Sequence, residues 1–156
     1  MSSFGNTNIQ LMLQGMKNVE GRLVIYLDPS NDVPRLMVIE GNSAPKLDTL
    51  VTYSEENSAS PEVLRRTIQD VRNLYPSNSY GLILWSHGMG WLPEKYNFHR
   101  SYSAGLVRYT NLPTKYFGQD THPGDGAMES FMETDELMAG ISGHFNFIMF
   151  DACFMG

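Results

Sequence analysis

Two short runs constrain this chain more than anything else in it: YGLILWS at 80–86 and FNFIMFD at 145–151. Both are apolar on each of the two faces that a strand presents. A strand with one wet face alternates apolar and polar residues, so unbroken runs of this length belong to central strands of a parallel sheet, covered on both sides. Such a sheet needs helices, and the sequence supplies them. In residues 61–75, Leu64, Ile68, Val71 and Tyr75 recur at helical spacing, with Arg65, Arg66 and Arg72 facing outward. Ser60 is the N-cap, Pro61 takes the first helical position and Pro76 ends the helix. An earlier helix over 6–18 carries Ile9, Met12, Leu13 and Met16 on one stripe, with Asn6 or Thr7 as its cap. A third, short helix runs from a Thr134 cap to Ser142, with Leu137 and Ile141 inward.

The other strands are weaker. RLVIYLD (22–28) and RLMVIEG (35–41) are joined by the turn residues PSND, which predicts a hairpin-like connection, and LVTYS (50–54) is a third candidate. Strands alternating with helices give an α/β domain with a largely parallel sheet. From Gly88 to about Ala127 no period is visible, and a stretch of that length in a compact domain is expected to carry function or to move.

Composition removes several functional classes. The 156 residues carry a net charge of −6, from 17 acidic and 11 basic side chains. That balance argues against nucleic acid, whose binding rests on basic contacts to phosphate. No apolar run approaches the roughly 18 residues that span a bilayer. Met1-SSFGNTN shows neither the basic nor the apolar segment of a signal peptide. Cys153 is the single cysteine, so no intrachain disulfide forms and the redox compartment stays open.

The thiol is therefore either a small core residue or a chemical one. In open α/β sheets chemistry gathers at the carboxyl ends of strands. The first apolar run leads into His87-Gly88, and the second ends in Asp151-Ala152-Cys153. If the two strands are parallel neighbours, imidazole and thiol emerge on one edge. A cysteine nucleophile attacks as the thiolate, and a nearby imidazole lowers the thiol pKa or protonates the leaving group. Taken singly, a cysteine behind a strand is most often a buried small hydrophobe, and a lone histidine is most often structural.

Other chemistries fit less well. GISGH at 140–144 comes near the serine-hydrolase elbow, but His144 replaces the last glycine and the segment precedes a strand. A metal site drawn from His99, His122, Asp120 and Asp125 has no HExxH pattern and no second cysteine, and QDTHPGDG fails the EF-hand spacing. GMGWLP ends in proline where a dinucleotide fingerprint needs glycine. The alternative of another class is a non-catalytic α/β scaffold that binds a partner, with Cys153 as a core thiol. Thiol reactivity separates the two.

ILWSHGMGWLP and FIMFDACFMG resemble the His and Cys motifs of the clostripain-like cysteine peptidases, relatives of caspases, gingipains and legumains. SSFGNTNIQLM, RLVIYLD, ENSASPEVLRRTI, FGQD and METDEL are similar to that family too, so the resemblance covers most of the chain. It implies a caspase-like three-layer α/β sandwich with a mostly parallel sheet. It also implies that residues 1–156 are a partial peptidase domain, incomplete at both ends, without the family's first strand and the region after the nucleophile. By resemblance His87 is the catalytic histidine and Cys153 the nucleophile of an endopeptidase that cuts after Arg or Lys. The backbone N–H groups of Gly88 and Cys153 would form the oxyanion hole, and Asp151 would hold the basic P1 side chain. The family is made as zymogens nicked between the motifs, which makes Arg100, Arg108 and Lys115 candidate processing sites. No cofactor is required; calcium stays open, since some members use it. The partners implied are proteins or peptides with a basic P1 residue, and the implied location is secreted or at the cell envelope.

Overall fold

The structure, a computed structural model, describes residues 2–88, 116–124 and 130–152. The chain divides into two compact units: Met1–Asn57 with Thr121–Ala127, and Ser58–Asp120 with Met128–Gly156.

The first unit holds helix α1 (Ser2–Gly15) and strands β1 (Arg22–Leu27), β2 (Arg35–Glu40) and β3 (Leu47–Thr52). They form an antiparallel meander, with Leu27 opposite Arg35 and Arg22 opposite Glu40. The PSND turn closes it as its residues predict: the Asp32 N–H donates to the Pro29 carbonyl, and the Asp32 carboxylate accepts from the Val33 N–H and the Arg35 guanidinium. The Arg35 hydrogen bond, then that of Val33, holds the Asp32 carboxyl below its ordinary pKa. β2 is central, and Leu36, Met37, Val38 and Ile39 are all buried on it. α1 begins before the residues expected to cap it, so Asn6 and Thr7 lie inside the helix rather than at its entry. Only part of its expected stripe is covered: Ile9 is buried and Met12 is exposed.

The second unit contains α2 (Pro61–Leu74), β4 (Gly81–Trp85), β5 (Tyr116–Asp120), β6 (Ser130–Glu133), α3 (Thr134–Gly140) and β7 (Phe147–Asp151). β4 and β7 pair in parallel, and β5 pairs antiparallel with β6. The parallel part of the fold is thus small, one pair among the described strands. The core joins Ala59, Leu84, Phe117, Met132 and Leu137, with Leu64, Leu82, Ile141, Phe150 and Ala152 packed around it. The Phe117 and Phe150 rings meet edge-on at 5.6 Å.

Three expectations change here. Both apolar runs were expected to be covered on two faces. Leu84 is buried and Phe150 half-buried toward the core, but Ile83, Phe147 and Met149 on the opposite face are each more than half exposed. The helices of this unit cover one face of the pair, and none of the unit's described elements buries the other. Second, β5 lies inside the stretch read as aperiodic, and β6 lies just beyond its end. Third, Arg65 and Arg72 do not simply face solvent. Their guanidiniums donate to the carbonyls of Ala139 (2.5 Å) and His144 (2.6 Å) and so tie α2 to the end of α3 and the turn after it.

Candidate active site

In β4 and β7, Trp85 lies opposite Asp151. Parallel strands point their carboxyl ends the same way, so the two motifs leave the sheet at one edge. Beyond Trp85 come Ser86, an exposed His87 and a buried Gly88. Beyond Asp151, itself exposed, comes Ala152, packed on the core. Among the described residues no cation pairs with the Asp151 carboxylate. Of the residues singled out from sequence, Cys153, Arg100, Arg108, Lys115, His99 and Asp125 lie outside the described residues.

The turn after β4 is held by β5. The Gln119 N–H donates to Ser86 Oγ (3.1 Å), and the Gly118 N–H donates to the His87 carbonyl (3.0 Å). Gly88 and Phe117 face each other as an isolated antiparallel bridge. Because the bond runs from Gly118 to His87, Gly88 and Phe117 are the non-hydrogen-bonded pair of this bridge, and their N–H groups point away from each other. Among the described residues no acceptor takes the Gly88 N–H.

β5 is fixed in turn at its far end. Asp120 is 5% exposed, and its carboxylate accepts from both the N–H (2.9 Å) and the hydroxyl (3.2 Å) of Ser58, just before α2. A carboxylate buried beside the core needs such donors to offset its lost hydration. Sequence reading missed Ser86, Gly118 and the Asp120–Ser58 link. The one available signal was the glycine inside YFGQD, since glycine in a strand marks a bulge or a close approach.

No metal centre emerges among the described residues, where no three His, Cys, Asp or Glu side chains converge. Asp120 is engaged with Ser58 in the second unit; within the first unit, His122 lies 3.6 Å from Glu55.

A mixed α/β domain with a histidine-glycine turn and an aspartate-bearing strand end at one sheet edge defines the class: this is the fold of the C11 cysteine proteases. The clostripain family pattern spans residues 1–156, and the chain belongs to that family. It is 31% identical, with a TM-score of 0.75, to a secreted C11 cysteine protease from Bacteroides thetaiotaomicron solved in complex with an irreversible peptide inhibitor. That match covers 99% of this chain and 39% of the other. An inactive zymogen C11 protease from Parabacteroides distasonis is also 31% identical, with a TM-score of 0.70 over 99% of this chain and 38% of its own. A further secreted C11 cysteine protease from B. thetaiotaomicron, iotapain, is 20% identical at a TM-score of 0.68, over 99% of this chain and 42% of its own, and supports the fold alone. The chain thus spans about two fifths of the length of these solved structures. No curated protein matches it.

Proposed function

We propose that this chain carries the catalytic dyad of a cysteine endopeptidase that cleaves after Arg or Lys. The observation that carries the reading is the parallel register of Trp85 with Asp151. His87 is two residues beyond Trp85, and Cys153 is two residues beyond Asp151, so the motifs leave adjacent strands in step. Family membership and the resemblance to C11 proteases support the same assignment.

In this reading the Cys153 thiolate attacks the scissile carbonyl. The negative charge that develops on the carbonyl oxygen is met by the N–H groups of Gly88 and Cys153, and such preorganised donors are usually the largest electrostatic contribution in acyl transfer. As the C–N bond breaks, protonated His87 gives its proton to the leaving amine. Water then hydrolyses the thioester and returns the thiol. Asp151, exposed and without a cationic partner among the described residues, is available to a basic P1 side chain. It would take paired hydrogen bonds from a guanidinium or one ion pair from an ammonium. A nick at Arg100, Arg108 or Lys115 activates the precursor, and the protein acts outside the cell, as its secreted relative does.

The test is labelling of the full-length protein with an Arg- or Lys-directed acyloxymethyl ketone. Wild type is expected to label at Cys153, Cys153→Ala not at all, and Asp151→Ala to lose its preference for basic over neutral probes by about tenfold or more. Absence of wild-type labelling, after a nick between the motifs and with calcium supplied, defeats the reading and makes Cys153 a core thiol.

A further inference from the structure

We infer that Gly118 is a positioning residue for the oxyanion hole, acting through the single peptide group that joins His87 to Gly88. This rests on the reading above, which makes the Gly88 N–H one of the two oxyanion donors. The C=O of His87 and the N–H of Gly88 belong to the same planar unit, and in a trans peptide they point in opposite directions. Whatever holds the carbonyl therefore aims the N–H. The holder is the Gly118 N–H, at 3.0 Å from the His87 oxygen.

Gly118 can do this because it is displaced from its own ladder. Along β5, Phe117 pairs with Met132 and Gln119 with Phe131, so Gly118 is the extra residue of a bulge. Bulges of this kind re-aim backbone groups beside active sites. Its φ of +88° lies where side chains are disfavoured, and that conformation turns its N–H toward the His87 carbonyl rather than toward β6. Ser86 braces the same turn by accepting from the neighbouring Gln119 N–H. A hydrogen bond accepted by the His87 carbonyl also polarises the amide and strengthens its N–H as a donor. β5, which lies between the two motifs in sequence, thereby sets the direction of an oxyanion donor in the His87-Gly88 motif.

Substitution at Gly118 acts on backbone rather than on space, since among the described residues an added Cβ would meet only Met132 Cβ, at 3.8 Å. In the nicked, full-length protein, Gly118→Ala is expected to lower kcat on a basic peptide amide by about tenfold to a hundredfold, with KM changed less than about threefold. The affinity of a peptide arginine aldehyde, whose adduct with the thiol presents an oxyanion, should weaken in parallel with kcat. Alkylation of Cys153 by iodoacetamide, which needs no oxyanion hole, should keep its rate. Gly118→Asn should recover part of kcat, because asparagine tolerates positive φ better than alanine. Gly21→Ala, also at positive φ (+132°) with open space around it but in the other unit, controls for strain alone and should leave kcat unchanged.

If Gly118→Ala does not fold, Ser86→Ala against Ser86→Thr tests the same brace, with loss of aldehyde affinity expected for the alanine only. Unchanged kcat in Gly118→Ala overturns the inference. So does a parallel loss of kcat, iodoacetamide reactivity and thermal stability, which would make Gly118 merely structural. In both cases an active wild type leaves the peptidase reading intact; an inert wild type ends both.

Discussion

Ser60 both donates to the Glu62 carboxylate (2.7 Å) and accepts from the Glu62 N–H (3.2 Å), which closes the first turn of α2. Ser60→Ala removes that acceptor and should cost about 1 kcal/mol, measured by denaturant unfolding. The Ser60 hydroxyl, then the Glu62 backbone N–H, lowers the Glu62 pKa below its ordinary 4.5. A carboxyl whose folded pKa is depressed adds stability that is fully present above its unfolded value and disappears as pH falls through the folded one. Between about pH 6 and about pH 3, wild type should therefore lose more stability than Glu62→Gln, and equal losses would refute the contribution. This cap was legible in the sequence because its partners are two residues apart. His87, Asp151 and Cys153 stand out as candidates for a similar reason, since each stands at or just beyond the end of an apolar run. Gly118 was not, since its partner lies in a different motif.

Element by element, the helices were easier to read than the strands. α2 matches its expected start and nearly its expected end, with Tyr75 as C-cap. α3 has Glu133 in the N-cap position instead of Thr134: the Glu136 carboxylate reaches back to the Glu133 N–H at 2.9 Å. β5 escaped notice because a bulge breaks its alternation, and glycine is a poor strand former. The link between elements was also misjudged. Arg72 looks like an ordinary surface cation on α2, yet its guanidinium lies 4.3 Å from the Tyr80 ring centroid and 5.0 Å from that of Phe145 while bonding the His144 carbonyl. A planar, weakly hydrated cation suits that slot and an ammonium does not. Arg72→Lys should cost about 1 kcal/mol and lower Tm by roughly 2–4 °C in a scanning calorimeter. An unchanged Tm would make the guanidinium incidental.

At the scale of the molecule, the candidate nick sites Arg100, Arg108 and Lys115 divide the second unit into two sequence halves that fold together. Ala59 and Leu84 come before them, Phe117, Met132 and Leu137 after them, and all five share one core. The β4–β7 ladder, the close approach of Gly140 to Pro61 and Leu64, and the Gly118–His87 bond all join one half to the other. Cutting at Arg100, Arg108 or Lys115 breaks one covalent link and none of these contacts. The two pieces of the nicked protein should therefore co-elute on size exclusion and separate only in denaturant. Separation in native buffer would mean that the shared core does not hold without the covalent connection.

Periodicity, capping and turn chemistry act over a few residues, so the sequence alone determined α2, the PSND turn and the two apolar runs, and singled out the His87, Asp151 and Cys153 candidates at their ends. Contacts between distant residues depend on how the elements pair, and those only the tertiary structure decided. They include the register of Trp85 on Asp151, the one-sided cover of the β4–β7 pair, and the bonds of Gln119 to Ser86 and of Ser58 to Asp120, across 33 and 62 residues. The physical reason is that neither a backbone donor nor an apolar strand face has a preferred partner until a fold brings one into contact, within about 3 Å for a hydrogen bond.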